Sequence, residues 1–338
     1  MRKNIAFFAL CVYASVFAVL NASELKSDEY VMFIPNIAYD LDDKTIAVQM
    51  EAYVYEKERR LGFTSALASM LDIDIEKLND ADKKRLYERT ALFRIDYEGD
   101  KEFSIEFEDG SVYEAPTTDD GKSVATFEIK KPAKKYINFE VHNPQHKSNE
   151  SKGFALYAKN SGVSAVFDID DTIKDSNVLD KKALLVNTFL REYKTVKGIE
   201  KVFEHTRNLR ADAYHYVSAS PAQLYPTLSD FFERSGIPKG TFHLREATDL
   251  SDFLADKETT INHKKDNIEK LFKAYPKRKF ILVGDSGEND PEIYANLQRK
   301  YPDKVLLIII RDLDKSGGSS ARLKKSFEGV NKNKLMFF

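Results

Sequence analysis

The stretch Val163-Ser-Ala-Val-Phe167, followed directly by Asp168-Ile169-Asp170-Asp171-Thr172, decides the fold of this chain. A short run of apolar and small residues with no polar alternation describes a strand buried on both faces. Three more such runs follow, Ala213–Val217, Phe280–Val283 and Val305–Ile310, and helical patterns such as Ala222–Ser235 and Lys264–Tyr275 lie between them. Apolar strands alternating with helices predict an α/β domain built on a parallel sheet covered on both faces. Ligands in such sheets bind beyond the carboxyl ends of the strands, so the residues just after each run are the candidates for chemistry.

Upstream the grammar differs. From Tyr30 to about Asn143 the pattern is mostly of period two, as in Ile46–Tyr55, Ala91–Tyr97 and Phe103–Phe107, with turn signals at Glu98-Gly99-Asp100, Asp109-Gly110 and Asp119-Asp120-Gly121. Phe63 to Arg89 interrupts it with apolar residues Leu67, Met70 and Leu71 at helical spacing. This predicts a smaller β-sandwich-like domain with a helical insertion. The polar stretch Pro144–Lys152 reads as a connector. The expected organisation is a signal peptide over 1–22, a β-rich accessory domain over 23–152 and the α/β domain over 153–338.

Arg2 and Lys3 precede an apolar run from Ile5 to Leu20 that ends in Asn21-Ala22-Ser23. That run is short for a bilayer span, and it reads as a secretory signal cut near Ala22, with an uncleaved signal anchor as the alternative. The expected location is outside the cytoplasm, periplasmic or secreted. The single cysteine, Cys11, lies inside the run. The processed chain would therefore hold no disulfide, no cysteine nucleophile and no zinc–thiolate site. With 338 residues, 42% hydrophobic and 31% charged, the composition is that of an ordinary globular protein of about two domains. A formal charge of −2 gives no basic excess for a nucleic-acid partner.

The residues after the strands carry the chemistry. Asp168 can attack phosphorus, and Asp170 can protonate the leaving oxygen and then activate water. Two carboxylates would repel a phosphate, so a cation is needed between them, and Mg²⁺ suits an all-oxygen site. Taken alone, the same pair also reads as a solvated acidic turn. After the second run, Ser218 and the following N–H groups, that of Ala219 first, form a phosphate cradle, while Ser220 before Pro221 reads as a helix N-cap. Lys264, four residues before Ile268, is placed to neutralise phosphoryl oxygens, although a surface lysine is the plainer reading. After the third run, Gly284-Asp285-Ser286-Gly287-Glu288-Asn289-Asp290 is an acidic loop in which Asp285 and Asp290 are the candidate metal ligands. With Asp168 and Asp170 these make the expected metal set. Each of the four features follows a strand or opens a helix, and the order strengthens all four.

That order resembles the haloacid dehalogenase-like phosphohydrolases. The longer motifs, Asp168-Ile-Asp-Asp-Thr-Ile-Lys174, Ser218-Ala-Ser-Pro-Ala-Gln-Leu-Tyr225, Phe242-His-Leu-Arg245, His263-Lys264 and Gly284-Asp-Ser-Gly-Glu288 with Asp290-Pro-Glu292, are similar to those of the actin-patch-associated phosphatidate phosphatases of fungi and their bacterial relatives. Glu88-Arg89 through Phe93 resembles the amino-terminal region of that family. The resemblance implies a Rossmann-like parallel sheet of the haloacid dehalogenase type. It also implies an aspartyl-phosphate intermediate on Asp168, and it adds Thr172 and Arg245 to the phosphate-binding set. Ala222 departs from the family, which usually carries an aromatic residue there.

The function implied by the resemblance is Mg²⁺-dependent hydrolysis of phosphatidate to diacylglycerol and phosphate. The residues alone imply only a phosphomonoesterase, so an exported phosphatase for soluble esters is the alternative, followed by an inactive phospho-ligand-binding protein. A phospholipid substrate would call for peripheral membrane contact, for which Phe63–Leu71, preceded by Arg59 and Arg60, is the candidate face; core packing of an inserted helix is the alternative.

Overall fold

A computed structural model describes residues 23–56, 62–93, 95–117, 120–142, 151–246 and 257–338. The expected signal segment, Arg59, Arg60 and most of the Pro144–Lys152 connector lie outside the described residues.

Ten strands form one mixed sheet: β1 (Ser23–Glu24), β2 (Glu29–Ile34), β3 (Asn36–Asp40), β4 (Thr45–Glu56), β5 (Asp96–Tyr97), β6 (Lys101–Phe107), β7 (Val112–Pro116), β8 (Lys122–Lys130), β9 (Tyr136–Val141) and β10 (Lys152–Tyr157). Its path runs β6-β9-β10-β3-β4, with β7 beside β6 and β8 beside β4. The far strands come together: the Tyr113 ring lies 5.2 Å from that of Phe127, and the Tyr113 hydroxyl donates to Glu128 O at 3.1 Å. The sheet thus curls around one apolar cluster that includes Val31, Val48, Ile105 and Phe139. Where the sequence predicts two packed layers, the twelve-residue β4 pairs with β2 and β3 and also with β8, which keeps the strands on one hydrogen-bonded path. The alternation at Ala91–Tyr97 gives less strand than expected. Ala91–Phe93 is a 3₁₀ turn, because Phe93 folds back to stack on Phe63 at 4.5 Å.

The inserted helices are α1 (Phe63–Leu71) and α2 (Asp80–Thr90). Leu67 is 0% exposed, and Phe63 also packs 6.0 Å from Phe189 of the second domain. Leu67 is thus a core residue, and Phe63 is partly buried beside Phe93 and Phe189, the arrangement of a core-packed inserted helix. Among the described residues no helix is long and apolar enough to cross a membrane.

The second sheet has six parallel strands: β11 (Val163–Phe167), β12 (Ala211–Pro221), β13 (Thr241–Arg245), β14 (Lys279–Asp285), β15 (Val305–Arg311) and β16 (Leu335–Phe337). Their order is β13-β12-β11-β14-β15-β16. Counted along this sheet alone that is 3-2-1-4-5-6, the doubly wound order, and it reverses between β11 and β14. Around it lie α3 (Lys181–Phe189), α4 (Ile199–Asn208), α5 (Tyr225–Arg234), α6 (Lys257–Ala274), α7 (Asp290–Lys300) and α8 (Ala321–Ser326). The molecule is a mixed α/β fold, a parallel sheet with a second, mixed sheet. The two sheets share one cluster, in which Met32, Ile34, Tyr53 and Tyr55 meet Phe167, Ile173, Leu185 and Phe189, with Leu67, Leu71 and Leu86 of α1 and α2 between them.

Candidate active site

Asp168 follows β11 and Asp285 ends β14, the two strands that flank the topological switch. Asp168 N donates to Val283 O at 2.9 Å, which ties the two strand ends together. Both Asp168 oxygens and Asp285 Oδ2 are buried and have no hydrogen-bond partner among the described residues. Lys264 Nζ lies 2.9 Å from Asp168 Oδ1 as an ion pair lacking hydrogen-bond alignment, and it bonds Glu288 Oε2 at 2.8 Å and Asp290 Oδ1 at 2.7 Å. Lys264 reaches this point because α6 buries Lys264 and Ile268 on one face, one helical turn apart.

Asp168, Asp285 and Glu288 each offer an oxygen, and these atoms lie within 4.8 Å of one another. Hard oxygen donors, two of them buried without a partner, fit a divalent cation such as Mg²⁺. Burial pushes the Asp168 carboxyl well up from its usual range; Lys264 opposes this, and Asp290, Glu288 and Asp285 add to it. Asp285 and Glu288 are raised as well, burial first. Lys264 is disfavoured as a cation by burial, but Asp168, Asp290 and Glu288 outweigh that and raise it. The other acidic group, Glu29, Glu56 and Glu98, is matched by Lys26 and Lys101.

Two residues named from sequence as metal ligands use their oxygens elsewhere. Asp170 Oδ1 takes Lys174 Nζ at 2.7 Å and Ser176 Oγ at 2.6 Å, and its Oδ2 takes Ser220 Oγ at 2.6 Å. Burial works against its charge, yet Lys174 and the two hydroxyls hold it below the usual carboxylate range. Asp290 accepts from Lys264 and from Asp285 N at 3.2 Å, pressed so close to Gly284 that a β-carbon at 284 would sit 2.7 Å from Asp290 Cγ. Ser220, expected as an N-cap, serves Asp170 instead, because β12 stays extended through Pro221.

A cavity of ≈ 180 Å³ is lined by polar groups of Asp170, Ser220, Arg245, Thr260 and Glu288 and by Ala219, with Val178, Lys181, Leu184, Thr188 and Pro221 completing it. Asp168, Ser218, Lys264 and Thr172 are buried and absent from its lining, Thr172 Oγ1 without a partner among the described residues. Ser218 Oγ accepts from Ser220 N at 3.0 Å. Arg245 Nε donates to Ala219 O at 3.3 Å. Ala222 is 2% exposed and belongs to the core, so the departure from an aromatic residue falls on packing and not on the cavity wall.

Several functional neighbours escaped the sequence reading. Asp171 adopts a left-handed φ of 52°, and its carboxylate accepts from the N–H groups of Ser176, Asn177 and Val178 at 3.0, 3.0 and 2.6 Å. Arg311 bonds its carbonyl at 2.7 Å. Together these fix the chain that leaves the site. Lys174 is buried 4.6 Å from the Tyr193 ring centroid, and Arg89 of α2 lies 3.9 Å from the same ring while donating to Thr188 O and Arg191 O. Arg322 grips Glu292 with two bonds of 2.8 Å and donates to Ser286 O at 2.6 Å, strapping the acidic loop. Of these Arg89, Asp171 and Lys174 stood inside quoted motifs, and none carried a spacing that announced its partner.

A doubly wound α/β domain with a buried carboxylate–lysine cluster at its switch point is the class of protein defined here. Residues 163–312 match the family described as phosphatidate phosphatase APP1, catalytic domain. Over 184 residues it is 30% identical to phosphatidate phosphatase APP1 of Saccharomyces cerevisiae, covering 53% of this chain and 31% of the yeast protein. Over 157 residues it is 33% identical to an uncharacterised protein of Schizosaccharomyces pombe, covering 45% of this chain and 26% of that protein. The matches thus span about a quarter to a third of the length of these relatives.

Proposed function

We propose that this chain is a phosphoric monoester hydrolase of the haloacid dehalogenase type that converts phosphatidate to diacylglycerol and phosphate. The observation that carries the proposal is Asp168. It is a buried carboxylate without a hydrogen bond, set at the carboxyl end of β11 beside Lys264, in the part of the chain that matches the catalytic domain of phosphatidate phosphatases. An Asp168 oxygen attacks phosphorus, and the bond from phosphorus to the lipid oxygen breaks. Asp170 gives that oxygen its proton, releasing diacylglycerol. Asp170 then takes a proton from water, the hydroxide attacks the phosphoryl group on Asp168, and phosphate leaves with the carboxylate restored.

Asp170 held ionised by Lys174 supports the base half of its role. The acid half requires a proton against that bias, and the leaving-group experiment below addresses it. Lys264 neutralises charge beside Asp168 throughout. Arg245, the Ala219 N–H and, from the family resemblance, Thr172 hold the phosphoryl oxygens. Asp168, Asp285 and Glu288 would hold Mg²⁺, which when bound supplies positive charge against the repulsion between carboxylate and phosphate. We also propose export, on the basis of the Ile5–Leu20 run.

The test is phosphate release from phosphatidate in detergent micelles beside a panel of soluble esters. Preference for a soluble ester by kcat/KM would replace the lipid reading with the scavenging one.

A further inference from the structure

Leu179 is 66% exposed, which makes it, with Val124, the most exposed of the large apolar side chains among the described residues. Its position distinguishes it. Val178 just before it and Lys181 two residues after it line the active-site cavity with Leu184, whereas no such lining residue directly flanks the other exposed large apolar side chains. Lys181 and Lys182 are both exposed at the start of α3. The neighbouring Asp180 turns its carboxylate onto Lys182 N and Ala183 N at 2.9 and 3.1 Å, so it caps the helix while the lysines face solvent. Asp171 holds the loop below through three N–H groups, which gives Leu179 a fixed base.

The cavity of ≈ 180 Å³ is below the roughly 300 Å³ at which clefts begin to enclose a drug-sized ligand. That volume suits a phosphorylated headgroup and is too small for acyl chains, which would leave the cavity past lining residues such as Val178 and Leu184. Resting on the phosphatidate reading above, we propose that the face around Leu179 is the surface through which this protein docks on an anionic lipid bilayer. Leu179 inserts among the acyl chains and Lys182 meets the headgroups. An apolar tip beside lysines is the pattern of an interfacial anchor, and it brings the cavity mouth to the level of the phosphate.

The chain contains no tryptophan, so Leu179→Trp introduces a single reporter. Added vesicles of phosphatidylcholine with phosphatidylserine are expected to shift its emission to the blue. Leu179→Asp is expected to lower hydrolysis of phosphatidate in such vesicles by ~10-fold or more while leaving p-nitrophenyl phosphate hydrolysis unchanged. Lys182→Glu is expected to cost about fivefold or more on vesicles, the loss shrinking at high salt. Val124→Asp, at equal exposure on β8, is expected to change neither activity. No blue shift, undiminished vesicle hydrolysis by Leu179→Asp, or an equal loss on the soluble ester would each overturn the docking face. If the unsubstituted protein hydrolyses no phosphatidate in either micelles or vesicles but does hydrolyse soluble esters, it is the phosphatidate reading that has failed. An emission shift without phosphatidate hydrolysis would separate the two.

Discussion

The ammonium of Lys264 stands 2.9 Å from Asp168 Oδ1, and the same nitrogen touches Glu288 and Asp290, so one buried cation serves three carboxylates. Removing a partner on either side has opposite consequences. Lys264→Met leaves the acids unmatched and should lower the melting temperature by the equivalent of ~3–5 kcal/mol. Asp168→Asn removes a charge that has no hydrogen bond and leaves Lys264 paired, so it should keep or raise the melting temperature. It should nevertheless cost about 10³-fold or more in turnover. Thermal melts beside steady-state rates check both, and more than about a tenth of wild-type activity in Asp168→Asn would sink the nucleophile.

Asp170→Asn should abolish overall turnover yet retain some phosphoryl transfer to Asp168 when the leaving group is acidic. Single-turnover rates with p-nitrophenyl phosphate should fall less than those with an alkyl phosphate. Equal losses on the two esters would remove Asp170 from the role of acid.

Activity should disappear in EDTA and return with Mg²⁺. Asp285→Ala and Glu288→Gln should each raise the Mg²⁺ needed for half-maximal rate about tenfold or more, and calorimetric titration should show the same loss in metal affinity without turnover. Unchanged affinity in both variants would take the metal away from this cluster.

Leu67→Glu should lower the melting temperature and both lipid and soluble-ester activity together, because position 67 is 0% exposed and the new charge enters a core. Selective loss on vesicles would return α1 to the role of docking face.

His215 is 0% exposed, with Nδ1 2.8 Å from Thr241 Oγ1 and Nε2 3.3 Å from Ser164 Oγ. Burial holds its pKa well below the ordinary 6.5, and burial brings His243 down to about 3. Both groups bind a proton in the unfolded chain before they do in the folded one. Their contribution to stability is complete above pH 6.5 and is lost as the pH falls below it. Melting temperatures taken from about pH 7.5 to about pH 5 should decline, and less steeply in His215→Gln. Parallel curves for the two proteins would exclude His215 from the effect.

The parallel sheet was readable where burial is two-sided. Val163–Phe167 coincides with β11 because neither face carries polar alternation. The edge strands were not readable: Thr241–Arg245 carries His243 and Arg245, and Leu335–Phe337 is three residues long. In the site, Asp168, Ser218 and Asp285 could be named because a strand end places a residue by counting. Glu288 could not be placed in the cluster by counting, since its direction depends on how Asp290 packs on Gly284. Lys174 shows no partner in sequence, and its burial beside Tyr193 and Asp170 is brought about by the fold. The curled first sheet depends on β4 pairing with β8, far downstream, as well as with nearby β2 and β3, which alternation alone does not encode.

The cluster in which Tyr53 and Leu67 pack with Phe167, Ile173 and Phe189 has a consequence for how the molecule comes apart. Two units that interleave their side chains behind the reacting groups should melt together as one cooperative foldon. A shortened chain beginning near Val163 would bare the surfaces of Ile173, Leu185 and Phe189 and lose the Arg89 donors to Thr188 and Arg191. Such a fragment should be aggregation-prone and inert even with every reacting residue in place, which would make the amino-terminal sheet of this chain an intramolecular scaffold for its chemistry.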